Sequence, residues 1–324
     1  MKNDKKLFIL IELVLTVVVM VLAFLMLQGK YGKEAPKVSV IVQNSDDAQW
    51  TAFVYGLEMA AQDRKIELFV VTTGNALTLE EQKDLIESEL ANGADAVIVQ
   101  PVLGDDTEKM VSRIQKKLPV MLVEYTASQD SDASVLPTVE PDNYAMGTAL
   151  AEELLRDYNG NIKGKTLGIF AENEESEAVR NRRQGFTDTL KDAGAEICWM
   201  FSSASVKDEE NSVEAQEKVD FVIALDDSSL TDAGNASAAN NLHGALVYGI
   251  GHSTEAVYYL DAGYVECLVV PDEFSVGYQS LTEIAEKLSH PMRKMQDIMV
   301  AHTVIRRETL FTKENQEILY TMSQ

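Results

Sequence analysis

Short apolar runs recur along the chain, each followed by a longer stretch with helical spacing. From Lys37 onward Val38–Val42, Glu67–Thr72, Ala96–Gln100 and Val120–Val123 read as strands. Trp50–Arg64, Thr78–Asn92 and Asp105–Lys117 read as the helices between them. Such alternation predicts βαβ units, and therefore a parallel sheet covered on both faces. Thr78 is placed to cap the second helix, with Glu80 and Glu81 in its first turn, and Gly93 to end it. The rhythm breaks around Val135–Pro141, resumes with a helix near Tyr144–Arg156, and continues through strands at Thr166–Phe170, Glu196–Met200, Phe221–Leu225, Leu246–Ile250 and Val265–Val270. The pattern predicts two similar α/β lobes in series, a size that suits two cores better than one. In such sheets ligands bind outside the carboxyl ends of the strands.

Ahead of the first strand, Leu7–Leu27 is apolar except for Glu12 and Thr16. That length can cross a ~30 Å hydrocarbon core as a helix. It is longer than the centre of a cleaved leader and lacks a clear cleavage site, so an uncleaved signal anchor is expected. Lys2, Lys5 and Lys6 favour a cytoplasmic N-terminus, residues 1–6, with 28–36 as a linker and everything beyond outside the cytoplasm. Glu12 either snorkels to the inner interface or meets a partner helix.

Composition narrows the function further. The net charge is −24, from 52 acidic and 28 basic residues, with no basic block in the body of the chain. A nucleic-acid partner is disfavoured, because binding the phosphate backbone needs a positive footprint. Cys198 and Cys267 each lie in an apolar run and read as buried core residues, without metal or redox spacing. The four histidines are scattered, so neither a metal nor a cofactor is expected.

"YNGNIKGKT" at 158–166 is one residue short of a phosphate loop and precedes a strand, so it reads as a turn. No G-x-G-x-x-G follows the first strand, where "QNSDDAQW" would set carboxylates against a pyrophosphate, and G-x-S-x-G is absent. Asp47, Glu124 and Asp226 fall at strand ends, which leaves acid–base glycoside chemistry as an alternative.

The segments "WTAFVYGLEMAAQ", "LIESELANGADAVIVQPV", "LPVMLVEY", "EAVRNRRQGFTDTLKDAGAE" and "VDFVIALDD", in that order, resemble the type 1 periplasmic-binding-protein superfamily. That superfamily holds the ribose- and galactose-binding proteins and the effector cores of lactose-repressor-type regulators. The resemblance runs from Lys37 to about Phe311. It implies two doubly wound lobes joined by three crossovers, with residues 37–140 and part of 272–324 in the first lobe and 141–271 in the second. It also implies no catalytic machinery. The apolar run occupies the place of the regulators' DNA-binding headpiece, so the regulator reading falls away.

The resemblance places Trp50 as a stacking aromatic, Asp47 as a hydroxyl-binding residue and Arg182 as the arginine of "RNRRQGF". The remaining positions depart from the sugar-binding pattern. Gln49 fills a second aromatic slot, Glu124 and Tyr125 stand where pentose binders have Asp-Arg, and Asp226 replaces an Asn. His252 follows a "GIG" that lacks the family's Asp, Pro271 replaces a Gln, and Asp272 comes next. Asp47, Asp226 and Asp272 suit helix caps equally well. Trp50 could simply pack on the opposite lobe, and Arg182 could pair with Glu175.

The expected function is a membrane-anchored extracellular solute-binding protein that closes on a small polyhydroxylated ligand. Its use would be sensing with a membrane histidine kinase or import through an ABC permease. A glycoside-processing enzyme and a non-binding scaffold are the alternatives.

Overall fold

The structure, a computed structural model, describes residues 14–22, 35–43, 45, 50–73, 77–102, 104, 106–125, 136–172, 176–202 and 212–322. Residues 14–22 form a helix, α1, whose apolar side chains are exposed. No described helix is long and apolar enough to cross a membrane. The rest of the expected span, including Glu12, lies outside the described residues.

Residues Lys37–Gln324 form one unit containing two six-stranded sheets. The first sheet has the order β11-β5-β4-β3-β1-β2, from β1 (Lys37–Ile41), β2 (Glu67–Val70), β3 (Ala96–Val99), β4 (Val120–Val123), β5 (Thr138–Pro141) and β11 (Ile298–Val300). All its neighbours pair in parallel. The second sheet repeats the order as β12-β10-β9-β8-β6-β7. Its strands are β6 (Thr166–Ala171), β7 (Glu196–Ser202), β8 (Phe221–Ala224), β9 (Leu246–Ile250), β10 (Cys267–Pro271) and an antiparallel edge, β12 (His302–Arg306). This is the two-lobed, doubly wound fold that the alternation predicts.

Side-chain alternation puts a core on each face of each sheet. In β3, Ala96 and Ile98 face α2 (Thr51–Arg64) and α9 (Glu273–Ser289). Val97 and Val99 face α3 (Leu79–Ala91) and α4 (Thr107–Gln115). In β8, Phe221 and Ile223 meet α5 (Asn143–Asp157) and α6 (Glu177–Leu190). Val222 and Ala224 meet α7 (Asp227–Ala238) and α8 (Thr254–Ala262). Each fully buried Leu, Ile or Phe contributes about 1.5–3 kcal/mol.

Local signals set the helix ends. Thr78 caps α3 in a capping box, its N–H donating to Glu81 Oε2 at 2.8 Å while its hydroxyl accepts from Glu81 N at 3.3 Å. Gly93 follows with φ +89°. The 158–166 segment is a turn between α5 and β6, with Gly160 and Gly164 at positive φ.

Two features depart from the sequence reading. β5, β11 and β12 are strands not foreseen. Cys198 is exposed, because β7 is the edge of its sheet; Cys267 is buried on β10, and burial pushes its thiol up to about 12. The segment 202–220 is shorter than its family equivalent, which implies a reduced helix there, and its described part is a single 3₁₀ turn, Val213–Ala215.

The chain passes from the first sheet to the second after β5, back after β10, and across again between β11 and β12, where only Ala301 intervenes. The first two passages use the same device. "PDNYAMG" (141–147) opens α5 and "PDEFSVG" (271–277) opens α9, each with an Asp N-cap. The glycines that end these phrases let paired helices touch backbone to backbone. A methyl group on Gly147 would lie 1.8 Å from the Arg182 carbonyl oxygen, and one on Gly185 would lie 2.1 Å from that of Tyr144. In the first lobe Gly56 and Gly277 meet the Phe274 and Phe53 carbonyls at 2.1 and 2.0 Å in the same reciprocal way. Gly147→Ala must push α5 and α6 apart, with an expected loss of about 1–3 kcal/mol in urea unfolding.

Candidate functional site

A cavity of about 310 Å³ lies between the carboxyl ends of the two sheets, within the range of small-molecule sites. Its walls come from residues at strand ends and from the helices that follow them.

From the first sheet come Trp50, Gln100 and Glu124. The Trp50 indole N–H donates to Gln43 O at 3.0 Å, and Gln43 N donates to Gln100 Oε1 at 2.9 Å. With its polar edge satisfied and its ring edge-on to Phe53, 5.4 Å between centroids, Trp50 is a fixed apolar wall. Glu124, directly after β4, has φ +52°. This left-handed conformation costs a non-glycine residue about 1–3 kcal/mol and is typically kept where a side chain must be aimed.

From the second sheet come Glu172, Arg182, Asp226, Asp227 and His252. Arg182 is nearly buried on α6, with Nε donating to Asn143 Oδ1 at 2.8 Å and Nη1 to Leu225 O at 2.9 Å. Asp226 caps α7 by accepting from Ser229 N at 2.8 Å and also accepts from Glu172 N at 2.8 Å. Asp227 accepts from the His252 and Ser253 backbone N–H groups at 2.8 and 3.0 Å, and His252 Nε2 stands 3.6 Å from Asp227 Oδ2.

Glu273, the first residue of α9, closes the cavity beside Pro271. Burial pushes the carboxyls of both Glu124 and Glu273 above the ordinary range, Glu273 well above it. Glu124 raises Glu273 further, while Arg182 pulls both down. Glu124 Oε1 is sealed from solvent and has no hydrogen-bond partner among the described residues.

Of the residues singled out by sequence, Trp50, Glu124, Arg182, Asp226 and His252 line this cavity. Asp47, Gln49 and Glu175 lie outside the described residues. Tyr125 does not join the site: it is buried in the first-lobe core, its hydroxyl 3.3 Å from Glu108 Oε1. Glu124, in its left-handed conformation, turns into the cleft, and Tyr125 turns into the core. Asp272 is taken up by Ser275, accepting from its N–H and its hydroxyl at 2.9 and 2.6 Å. Glu273 is the cleft residue, and the repeated P-D-x-[YF]-x-x-G phrase could have found it, since Asn143 at the same place holds Arg182. Among the described residues no group of three or more His, Cys, Asp or Glu could hold a metal.

A model of the periplasmic binding protein domain matches residues 38–290. The chain belongs to this periplasmic binding protein family. It is thus a type 1 periplasmic binding protein, built for solute binding rather than catalysis. Solved structures share the fold at low identity. One is a carbohydrate transporter solute-binding protein from Agrobacterium radiobacter in complex with D-arabinose: 18% identity, TM-score 0.73, covering 89% of this chain and 100% of that one. Another is GanP, a glucose-galactose binding protein from Geobacillus stearothermophilus: 19%, TM-score 0.69, covering 86% and 100%. A third is a XylFII–LytSN complex: 17%, TM-score 0.70, covering 85% and 98%. No curated protein sequence matches significantly.

Proposed function

We propose that this periplasmic binding protein is a receptor for a small polyhydroxylated solute, sugar-like in size and shape, held between its two lobes outside the cytoplasm. The observation that carries the reading is the interlobe cavity itself. It joins an aromatic wall, Trp50, to a buried guanidinium, Arg182, and to carboxylates at several strand ends. Sugars present apolar C–H faces with a rim of hydroxyls, and this combination complements both. Trp50 takes a ring face, Arg182 donates to ring or hydroxyl oxygens, and Glu124 and Glu273 accept from hydroxyl groups. His252 and Asp226 shape the second-lobe wall. The sugar complexes among the structural relatives support this reading.

For the use of closure, sensing is favoured over delivery to a permease. A relative of the same fold is solved in complex with a second protein, LytSN, which supports a protein partner that reads the liganded state. The apolar run Leu7–Leu27 supports an anchor that would hold the receptor beside a membrane histidine kinase. Co-purification from membranes separates the two uses: a kinase supports sensing, and a permease complex overturns it.

Binding itself is tested by thermal melting of the full-length protein against monosaccharides and polyols. A ligand at a hundred times its Kd adds about 2.7 kcal/mol and raises the melting temperature. Trp50→Ala is expected to remove the rise. If no solute raises the wild-type melting temperature, or if Trp50→Ala leaves the rise unchanged, the reading fails.

A further inference from the structure

The cleft holds more negative charge than its own donors can use. Asp226 and Asp227 are occupied by four backbone N–H groups between them, from Ser229, Glu172, His252 and Ser253. Glu124 and Glu273 have no such cradle. Glu124, at the end of β4, and Glu273, at the start of the α9 helix that packs on β4, both line the cavity and are close enough to interact electrostatically. Among the described residues the cation that acts on both is Arg182, whose Nε and Nη1 already donate to Asn143 and Leu225. Two glutamates share one guanidinium, so the second carboxylate of the pair is neutralised only by a bound proton, in a place where Glu124 Oε1 has neither water access nor a partner among the described residues. A neutral polyol supplies hydroxyl donors to such a pair but no charge.

Deepening the polyol-receptor reading on which it rests, we infer that the ligand carries a protonated amine, as an amino sugar or similar amino polyol does, and that its ammonium sits between Glu124 and Glu273. An ammonium offers three donors and one positive charge, which both carboxylates can share. The groups facing the pair are Arg182 from α6, Asp226 and Asp227 from α7, Asp272 at the mouth of α9, and Glu172 and His252 from strand ends. Burial holds a proton on the empty pair. An incoming ammonium replaces that proton, which leaves to solvent, whereas a hydroxyl group in the same place leaves it bound.

The test is isothermal titration calorimetry of the full-length protein near neutral pH with matched pairs: D-glucosamine and D-glucose, D-galactosamine and D-galactose, D-mannosamine and D-mannose. Each titration is run in phosphate and in MOPS. At least one amino sugar is expected to bind ten-fold or more tightly than its neutral partner. Its heat should differ between buffers by the amount a released proton requires, and Glu124→Gln/Glu273→Gln should erase the preference. Should the double variant not fold, the wild-type ratio and the buffer dependence decide alone. Neutral sugars that bind as tightly as their amino partners overturn this inference and leave the polyol reading standing. Silence from every sugar overturns both.

Discussion

Arg182→Met is expected to cost about 3–5 kcal/mol of folding stability at neutral pH and to abolish ligand binding. The stability figure is what removing one member of a buried charged set typically costs. Arg182 is the nearby cation that offsets Glu124 and Glu273, and Met keeps most of its apolar stem while deleting the charge. Asn143 Oδ1 and Leu225 O lose their donors at the same time. Urea unfolding at several pH values measures the loss. It should shrink as pH falls, because protonating the glutamates removes the repulsion that Arg182 offsets. A variant as stable as the wild type would show that the glutamates do not depend on Arg182.

Glu273→Gln is expected to act in the opposite direction. Its carboxyl is held above its ordinary range by burial first and Glu124 second, so the folded protein retains a proton that the unfolded chain releases. A group raised in this way contributes its stability in full below the ordinary carboxylate pKa. That contribution is lost as pH rises through the folded value. The unliganded protein should therefore become less stable from mildly acidic pH upward. Glu273→Gln should flatten that slope and raise stability at neutral pH, because the amide cannot take on the charge that burial and Glu124 oppose. Denaturation midpoints across pH 5–8 check it, and an unchanged slope would place the proton elsewhere. Ligand affinity should fall in the same variant, since a stabilised empty cleft has lost an acceptor.

The strands that form both cores were legible because each is a run of β-branched and aliphatic residues bounded by turn residues. Val120–Val123 and Leu246–Ile250 fall where alternation places them. β5, β11 and β12 escaped for physical reasons. β5 is "TVEP", bracketed by prolines and carrying a carboxylate, β11 is only three residues long, and β12 is half-exposed along most of its length. Their place in a sheet is fixed by the neighbours they pair with rather than by their own pattern. Five of the residues singled out line the cavity, while Asp47 and Gln49 lie outside the described residues. Glu124 and Asp226 stood out as carboxylates at strand ends, whereas Trp50, Arg182 and His252 were placed by the family resemblance. Tyr125 and Asp272 each sit one position from the residue that does face the cavity. Where a strand or cap hands over, neighbouring side chains part company, and a sequence does not show which one turns inward.

Ala301 alone separates a strand bonded into one sheet from a strand bonded into the other. So short a tether has almost no slack. Swinging of one half against its twin must be absorbed by torsions beside that residue and at the two Pro-Asp junctions. Junctions this short favour bending about a single axis over twisting, so any rearrangement at the mouth of the cleft would be passed to each half as a rigid whole.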